Sequence, residues 1–392
     1  MQQRTWDREW LVRVLPRAVV AAMLGGWLLA IVARAVLGPA PGPWGGDLPA
    51  FLVGGRMVLD GHGHALYDFA LQDSLQQGMP RDGFLPYLYP PVVALAYAPL
   101  ALLPYDAAEA LHLGLSVLAV MLACRALRPV SPWTAADPWR ALALALSFQP
   151  LLRAIPGGQN SPFSLMLLCG AAGSFVLGRE GLAGVALGLM ACKPQLALPL
   201  LGAVLLSRRW RAVLAAALTV AGLLLACTAT AGRAWIGHWL AALGPYVDPD
   251  RANNAVATVS LARWTDLAGW GRAWMLPAAM ACAAVAWRAL QWQGSRMPRL
   301  LAAAACVGLM ASPHAMYYDA ALLLPGLAWM VDAGHPRLAF ALWLGAMLQE
   351  AAPALGASPL LVVLPAASVV LLYSSAESSR SSLANSSSRS VE

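Results

Sequence analysis

Apolar runs of membrane-spanning length recur from one end of this chain to the other. Runs of about 20 apolar residues, long enough to cross the hydrocarbon core of a bilayer, follow one another with short polar turns between them. Only 11% of the residues are charged, whereas soluble domains carry about a quarter. The sequence therefore predicts an all-α polytopic membrane protein rather than a soluble fold.

The order of apolar and polar segments predicts one transmembrane domain, 1–373, with about 10–12 spanning helices, some of them short or re-entrant. We expect a first outer loop at 38–91 and a second large outer loop at 232–272. The serine-rich segment 374–392 has no apolar period, so it is expected to be a disordered cytoplasmic tail.

Charge and cysteine usage exclude several classes of site. The net charge of +7 is spread as short arginine clusters between apolar runs, as the positive-inside rule expects of cytoplasmic turns. No basic stripe is interleaved with aromatic residues, so nucleic-acid binding has no support. All six cysteines fall inside apolar runs without a C-x-x-C pair, which indicates neither disulfides nor a zinc site. His62 and His64 are two residues apart, a spacing that favours a solvated loop over a metal site, and no metal or cofactor is predicted.

The first outer loop is denser in ionisable side chains than most of the chain, which indicates a segment that acts in water. Two interfacial helices are expected within it, at 48–59 and 69–77. Four apolar side chains of the first of these helices are expected to face lipid: Phe51, Leu52, Met57 and Val58.

Asp47 is the first candidate catalytic residue, because it follows the first spanning helix closely and should lie near the membrane surface. A carboxylate in a lowered dielectric has a raised pKa, as a general base requires. Asp47 also directly precedes Leu48 and Pro49, a pattern typical of a helix N-cap. The residues alone leave both interpretations open.

Lys193 is the only lysine of the chain and lies in the middle of an apolar run, directly before Pro194. An ionisable residue at membrane depth is costly and indicates a functional site, here a cation for a phosphate or diphosphate oxygen. The alternative is a lysine that extends from a short helix end to the headgroups.

Two further segments carry candidate substrate-binding residues. The turn at 157–160 offers the carboxamides of Gln159 and Asn160, which are suited to sugar hydroxyls or, equally, to capping the following helix. His314 lies on the same predicted side as Asp47 and can orient a phosphate or a hydroxyl.

Six short patterns occur along the chain in an order that resembles one family. They are Gly46-Asp47 after the first helix, Tyr89-Pro90-Pro91, Gly157-Gly158-Gln159-Asn160, Lys193-Pro194-Gln195, Arg208-Arg209-Trp210-Arg211 and Ser312-Pro313-His314. Together they resemble glycosyltransferase family 87, the membrane-embedded mannosyltransferases of the GT-C superfamily that use polyprenyl-phosphate-mannose.

This resemblance implies a GT-C-like bundle that transfers a hexose, with mannose as the expected sugar, on the periplasmic face of the inner membrane. The donor would be a polyprenyl-phosphate sugar and the acceptor a lipid or glycan of the cell envelope. Asp47 would be the general base and His314 would line the active site. The remaining expected substrate-binding residues are Lys193, Gln159, Asn160, Tyr89, Tyr317 and Tyr318.

One carboxylate base together with a cation suits transfer from a lipid phosphate, since that leaving group already carries its charge. A single displacement of this kind would invert the anomeric carbon. The protein is expected to act as a monomer, without metal, in contact with membrane lipids. The rival functions are a multi-pass transporter or lipid flippase, which also uses broken helices and a buried cation, and a non-catalytic membrane scaffold.

Overall fold

A computed structural model describes residues 3–37, 46–80, 83–292 and 296–374, and throughout these ranges the chain is built from helices without a β-strand. The all-α prediction is confirmed. The α-helices are α1 Gln3–Leu37, α2 Leu48–Leu59, α3 Phe69–Gln76, α4 Pro91–Tyr97, α5 Tyr105–Leu127, α6 Pro132–Ala136, α7 Pro138–Leu146, α8 Gln149–Ala154, α9 Ser161–Val176, α10 Glu180–Leu189, α11 Pro194–Leu206, α12 Trp210–Ala231, α13 Trp235–Asn253, α14 Leu261–Leu267, α15 Met275–Gln291, α16 Met297–Ala311, α17 Leu324–Asp332, α18 Pro336–Met347, α19 Ala352–Leu355 and α20 Leu360–Tyr373. Short 3₁₀ helices lie at Gly63–Ala65, Leu100–Leu102, Met190–Cys192, Gly271–Trp274, Tyr317–Leu323 and Leu348–Ala351.

Within the described ranges, five helical segments are long and apolar enough to cross a membrane. They are Val14–Ala33, Tyr105–Leu127, Trp210–Ala231, Gly271–Gln291 and Pro336–Leu355. Large apolar side chains on these segments are exposed, among them Leu214, Leu218 and Leu225 on α12. An apolar surface of this kind is expected to face lipid rather than water. The chain is a polytopic membrane protein.

Six shorter apolar helices of 10–17 residues accompany these spans, as the prediction of short helices requires. The run that carries Lys193 is broken there, because α10 ends in the 3₁₀ turn Met190–Cys192 and α11 starts anew at Pro194. At the centre of the protein, α16 is buried from Met297 to Met310 and packs against α11, α15 and α20.

The described part of the first outer loop, 46–80 and 83–91, packs into the protein, and the prediction that α2 faces lipid is wrong. Phe51, Leu52 and Met57 are buried in a second core cluster, separate from the main core, and Val58 is partly buried against it. The reason is close helix packing. A Cβ atom on Gly54 would meet the Tyr87 ring at 2.8 Å, and one on Gly55 would meet the backbone nitrogen of Ala98 at 2.9 Å.

Two helices, α13 and α14, occupy much of the expected second outer loop, 232–272. Trp235 and Trp239, four residues apart, contact each other on one face of α13 with their rings tilted by 38°. The Trp239 indole donates a hydrogen bond to the Leu88 carbonyl of the first outer loop. Aromatic contacts of this kind stabilise the helix despite the polar residues of the segment.

All six cysteines are free, as predicted. His62 and His64 are exposed, as a solvated loop requires, and no group of three or more His, Cys, Asp or Glu side chains suited to a metal ion occurs in the part of the chain described. The start of the first outer loop, 38–45, and the expected tail, 375–392, lie outside the described residues.

Candidate active site

Asp47 is held in place by a backbone contact between two tight turns. Its amide donates to the carbonyl of Gly157 over 3.2 Å. The neighbouring Gly46 has a φ of +34°, and a Cβ atom there would meet the same carbonyl oxygen at 2.1 Å. Only glycine fits such an approach. The patterns Gly46-Asp47 and Gly157-Gly158 are therefore two halves of one structure.

The carboxylate of Asp47 is not used as a helix cap. Asp47 occupies the N-cap position of α2 but its side chain makes no cap hydrogen bond. Asp68 and Asp137, which precede α3 and α7, both accept backbone hydrogen bonds in the usual way. The side chain of Asp47 instead accepts a hydrogen bond from Gln159 and lines a cavity.

Surroundings of low polarity change the acidity of Asp47. Burial raises the pKa of its carboxyl above the ordinary value of 3.8, and the negative charge of Asp250 acts in the same direction. The Gln159 hydrogen bond and the positive charge of Lys193 oppose this rise without cancelling it. A carboxylate with a raised pKa is a stronger base than one in water.

The cavity beside Asp47 has a volume of about 570 Å³ and is formed by segments far apart in the sequence. Its polar and aromatic lining residues are Trp27, Asp47, Arg153, Gln159, Tyr246, Asp250, Asn254, His314, Tyr317, Tyr318 and Glu350. The volume lies in the range of pockets that bind small molecules. Five of the eight residues predicted to form the site line this cavity: Asp47, Gln159, His314, Tyr317 and Tyr318.

Asp250 forms the wall of the cavity together with His314. The Nε2 atom of His314 lies 2.5 Å from one carboxylate oxygen of Asp250, and the other oxygen accepts from Tyr246 at 2.8 Å and Asn254 at 3.0 Å. Burial alone would raise the pKa of Asp250, but these hydrogen bonds outweigh burial and hold the pKa below its usual value. Asp250 is therefore a fixed anion that orients the His314 ring.

The loop that carries His314 is fixed by pairing with the second outer loop. Val259 donates its amide to the Ala315 carbonyl at 2.9 Å, and Tyr317 donates to the Ala257 carbonyl at 2.8 Å. The hydroxyl of Ser312 donates to the carbonyl of His314 at 2.8 Å and accepts from its amide at 3.2 Å. The Ser312-Pro313-His314 pattern thus builds a turn that presents the imidazole.

Lys193 does not line the cavity. Its ammonium donates to a carboxylate oxygen of Asp319 over 2.6 Å, and the Ser161 hydroxyl donates to the same oxygen over 2.6 Å. The Lys193 and Asp319 side chains are only 4% and 8% exposed. The rings of Tyr89 and Tyr318 lie 5.9 and 5.8 Å from the ammonium. These groups form a buried ion pair next to the cavity.

Asn160 and Tyr89, also predicted to bind substrate, do not line the cavity either. The Asn160 carboxamide forms a hydrogen bond with the Tyr89 hydroxyl, and Asn160 is the N-cap residue of α9 without a side-chain cap bond. Tyr89 therefore contacts both Asn160 and the Lys193 ammonium.

Sequence reasoning missed five polar residues of the cavity wall: Arg153, Tyr246, Asp250, Asn254 and Glu350. One signal for Tyr246 and Asp250 is present, since these two and Asn254 follow one another at intervals of four residues. That spacing places side chains on one helix face, but only if the segment is recognised as a helix. Arg153 and Glu350 are separated by 197 residues, and no local pattern connects them.

A cavity of this size, lined by several polar side chains and by the Asp47 carboxylate, is the candidate active site of the protein. The family model of glycosyltransferase family 87 matches residues 87–313, more than half of the chain. The chain belongs to glycosyltransferase family 87, as its sequence patterns predict. His314 directly follows the matched residues and Asp47 lies well before them, whereas Gln159, Asn160 and Lys193 lie within them. Comparisons with curated proteins and with solved structures give no match.

Proposed function

We propose that this membrane glycosyltransferase transfers a hexose, with mannose as the expected sugar, from a polyprenyl-phosphate donor to a lipid or glycan acceptor. The observation that carries the proposal is the carboxylate of Asp47, which lies at the end of a helix without capping it and lines a cavity of about 570 Å³. A helix N-cap residue that gives up its cap hydrogen bond indicates another use for the side chain.

In the proposed reaction, an acceptor hydroxyl enters the cavity and gives its proton to Asp47. The hydroxyl oxygen attacks the anomeric carbon, and the bond from that carbon to the phosphate oxygen breaks. The lipid phosphate leaves with the bonding electrons and needs positive charge or hydrogen bonds, but no proton. One displacement of this kind inverts the anomeric centre.

The state of Asp250 supports a transferase with one base. A hydrolase with two catalytic carboxyl groups needs one of them protonated as an acid. Asp250 is a second carboxyl group near Asp47, but its hydrogen bonds with His314, Tyr246 and Asn254 favour its anionic form. Asp250 is therefore unsuited to act as the acid, and Asp47 is left as the base.

We place this site on the periplasmic face of the inner membrane within a GT-C-like bundle. Support comes from the arginines at the turn between α11 and α12, which the positive-inside rule assigns to the cytoplasm. α12, of membrane-spanning length, then leads from that turn to α13, which bears Tyr246 and Asp250. The site and the arginine turn thus lie at opposite ends of a spanning helix.

The direct test is transfer of radiolabelled mannose from polyprenyl-phosphate-mannose to a membrane lipid extract by the purified protein. We expect label in the lipid fraction, with an unchanged rate in EDTA because no metal is predicted to take part. Absence of transfer would contradict the proposed donor, and movement of the labelled lipid across vesicles without transfer would identify a flippase. Loss of turnover in EDTA that magnesium or manganese restores would contradict the metal-free reaction.

On acidification the enzyme should lose activity at a higher pH than an aspartate with an ordinary pKa would cause, because the pKa of Asp47 is raised. A general base acts only when deprotonated, so activity is present above the pKa of Asp47 and is lost as the pH falls through it. Because the Gln159 hydrogen bond lowers this pKa, Gln159→Leu should move the acidic limb of kcat/KM to higher pH. The pH profiles of both proteins provide the measurement, and an unmoved limb in the variant would contradict Asp47 as the titrating base.

A further inference from the structure

The proposed reaction needs a cation for the departing phosphate. The expected cation, Lys193, is already paired with a buried carboxylate. The ammonium of Lys193 is bonded to Asp319 and does not line the cavity. Of the described residues that line it, Arg153 alone has a permanent positive charge, while Asp47, Asp250 and Glu350 supply carboxyl groups. A phosphate that enters this cavity therefore has one strong electrostatic partner.

Arg153 is already oriented by its neighbours. Its Nε atom donates to one oxygen of Glu350 over 2.7 Å, and its Nη2 atom donates to the other oxygen. Gln149 donates to the first oxygen over 3.1 Å and so holds the carboxylate. The Nη1 atom of Arg153 has no hydrogen bond to any described residue, and the side chain is 43% exposed. One edge of the guanidinium is thus fixed and the other is available.

Arg153 and the proposed base are tied to the same turn. The Arg153 carbonyl accepts from the Gly157 amide over 3.0 Å, and the Gly157 carbonyl accepts from the Asp47 amide over 3.2 Å. Two backbone hydrogen bonds therefore connect the cation to the base, and both side chains line one cavity. In a displacement reaction the base and the leaving group lie on either side of the anomeric carbon, so a fixed spacing between their binding groups is required.

We propose that Arg153 binds the phosphate group of the lipid-linked donor through its available edge, while Glu350 and Gln149 hold the guanidinium in position. This assignment rests on the proposed function, because it supplies the cation for the leaving group of that reaction. Guanidinium groups bind phosphate through two parallel hydrogen bonds, which an ammonium group does not reproduce. Arg153 therefore replaces Lys193 as the phosphate ligand.

The test compares Arg153→Gln with Arg153→Lys and with the control Arg56→Gln. Arg56 forms an ion pair with Asp60 whose side chains are 53% and 35% exposed, close to the 43% and 46% of Arg153 and Glu350, but neither Arg56 nor Asp60 lines the cavity. The probe is a short-chain polyprenyl phosphate, and polyprenol of the same chain length is the control ligand. Stabilisation of the detergent-solubilised protein against heat measures binding without requiring activity.

Arg153→Gln should weaken polyprenyl phosphate binding on the order of tenfold or more, since it removes hydrogen bonds to a charged group. Polyprenol binding should be unchanged, Arg153→Lys should lose less than Arg153→Gln, and Arg56→Gln should match the wild type. In transfer assays, the donor KM should rise and the acceptor KM should stay constant. A rise in the acceptor KM without a rise in the donor KM would overturn the assignment, because Arg153 would then bind a phosphate of the acceptor.

Equal binding of polyprenyl phosphate by Arg153→Gln and the wild type would also overturn the assignment, as would an equal loss of polyprenol binding. Failure of the proposed function has a different signature. A wild-type protein that binds polyprenyl phosphate through Arg153 but transfers no sugar would support the phosphate site and contradict the transferase reaction.

Discussion

Replacing Asp47 by asparagine should lower the transfer rate by about 10² to 10⁴-fold, the usual contribution of a general base. Asparagine has nearly the same shape and is equally suited to an N-cap position, so α2 should start at the same residue. The amide cannot accept the proton of the acceptor hydroxyl, and the attacking oxygen would have to leave its proton to water. Radiolabel transfer from polyprenyl-phosphate-mannose, compared with the wild type at equal protein concentration, measures the effect.

The matched control for this experiment is Asp68→Asn. Asp68 lies in the same outer loop, also precedes a helix, and caps α3 through the amides of Ala70 and Leu71. Its side chain does not line the cavity. We expect Asp68→Asn to keep the activity and the melting temperature of the wild type. Equal activity of Asp47→Asn and the wild type would show that Asp47 is not the base and would direct attention to another carboxylate.

Local sequence patterns predicted where helices begin and end, but they did not predict what each helix packs against. The start and end of α2 agree with the prediction to the residue, because Asp47-Leu48-Pro49 is a strong helix start and Leu59-Asp60-Gly61 a strong stop. Its burial could not be predicted, since α2 is apolar apart from Arg56 and fits lipid and protein equally well. What decides between them is the packing of Gly54 and Gly55 against Tyr87 and Tyr97, which lie in a different segment.

The choice between helix cap and general base for Asp47 also depended on contacts with a segment distant in the sequence. The residues around Asp47 favour both uses, and the local sequence contains nothing that separates them. The structure separates them through Gly157 and Gln159, which lie more than a hundred residues further along the chain and take the Asp47 amide and carboxylate as partners. Sequence order alone brought these patterns together only as parts of a family resemblance.

The cost of a charge at membrane depth correctly singled out Lys193, but it did not reveal what the charge is for. The partner, Asp319, lies 126 residues away in a 3₁₀ segment next to Tyr318. A lysine whose partner is unknown looks like a ligand for an external anion, whereas the same lysine bonded to a buried carboxylate stabilises the fold and contributes positive charge to its surroundings. These two roles predict different outcomes for the same substitution.

Lys193→Met should therefore destabilise the protein strongly, by about 3–5 kcal/mol, because it leaves the Asp319 carboxylate buried without its cation. Methionine fills a similar volume, so the loss reflects the uncompensated charge rather than a cavity. The double variant Lys193→Met with Asp319→Asn should regain most of this stability, since asparagine is neutral and can still accept the Ser161 hydrogen bond. Thermal unfolding of the three proteins in detergent gives the comparison.

Arg209→Met serves as the control, because it breaks the more exposed ion pair with Glu180, whose side chains are 26% and 22% exposed, and such pairs contribute about 1 kcal/mol or less. A Lys193→Met variant as stable as the wild type but weak in binding polyprenyl phosphate would contradict the structural role and return Lys193 to the substrate site. If the double variant regains both stability and transfer activity, Lys193 has a structural role and is not needed to bind substrate. The positive charge of Lys193 lowers the pKa of Asp47, so its loss should then appear as an acidic limb moved to higher pH.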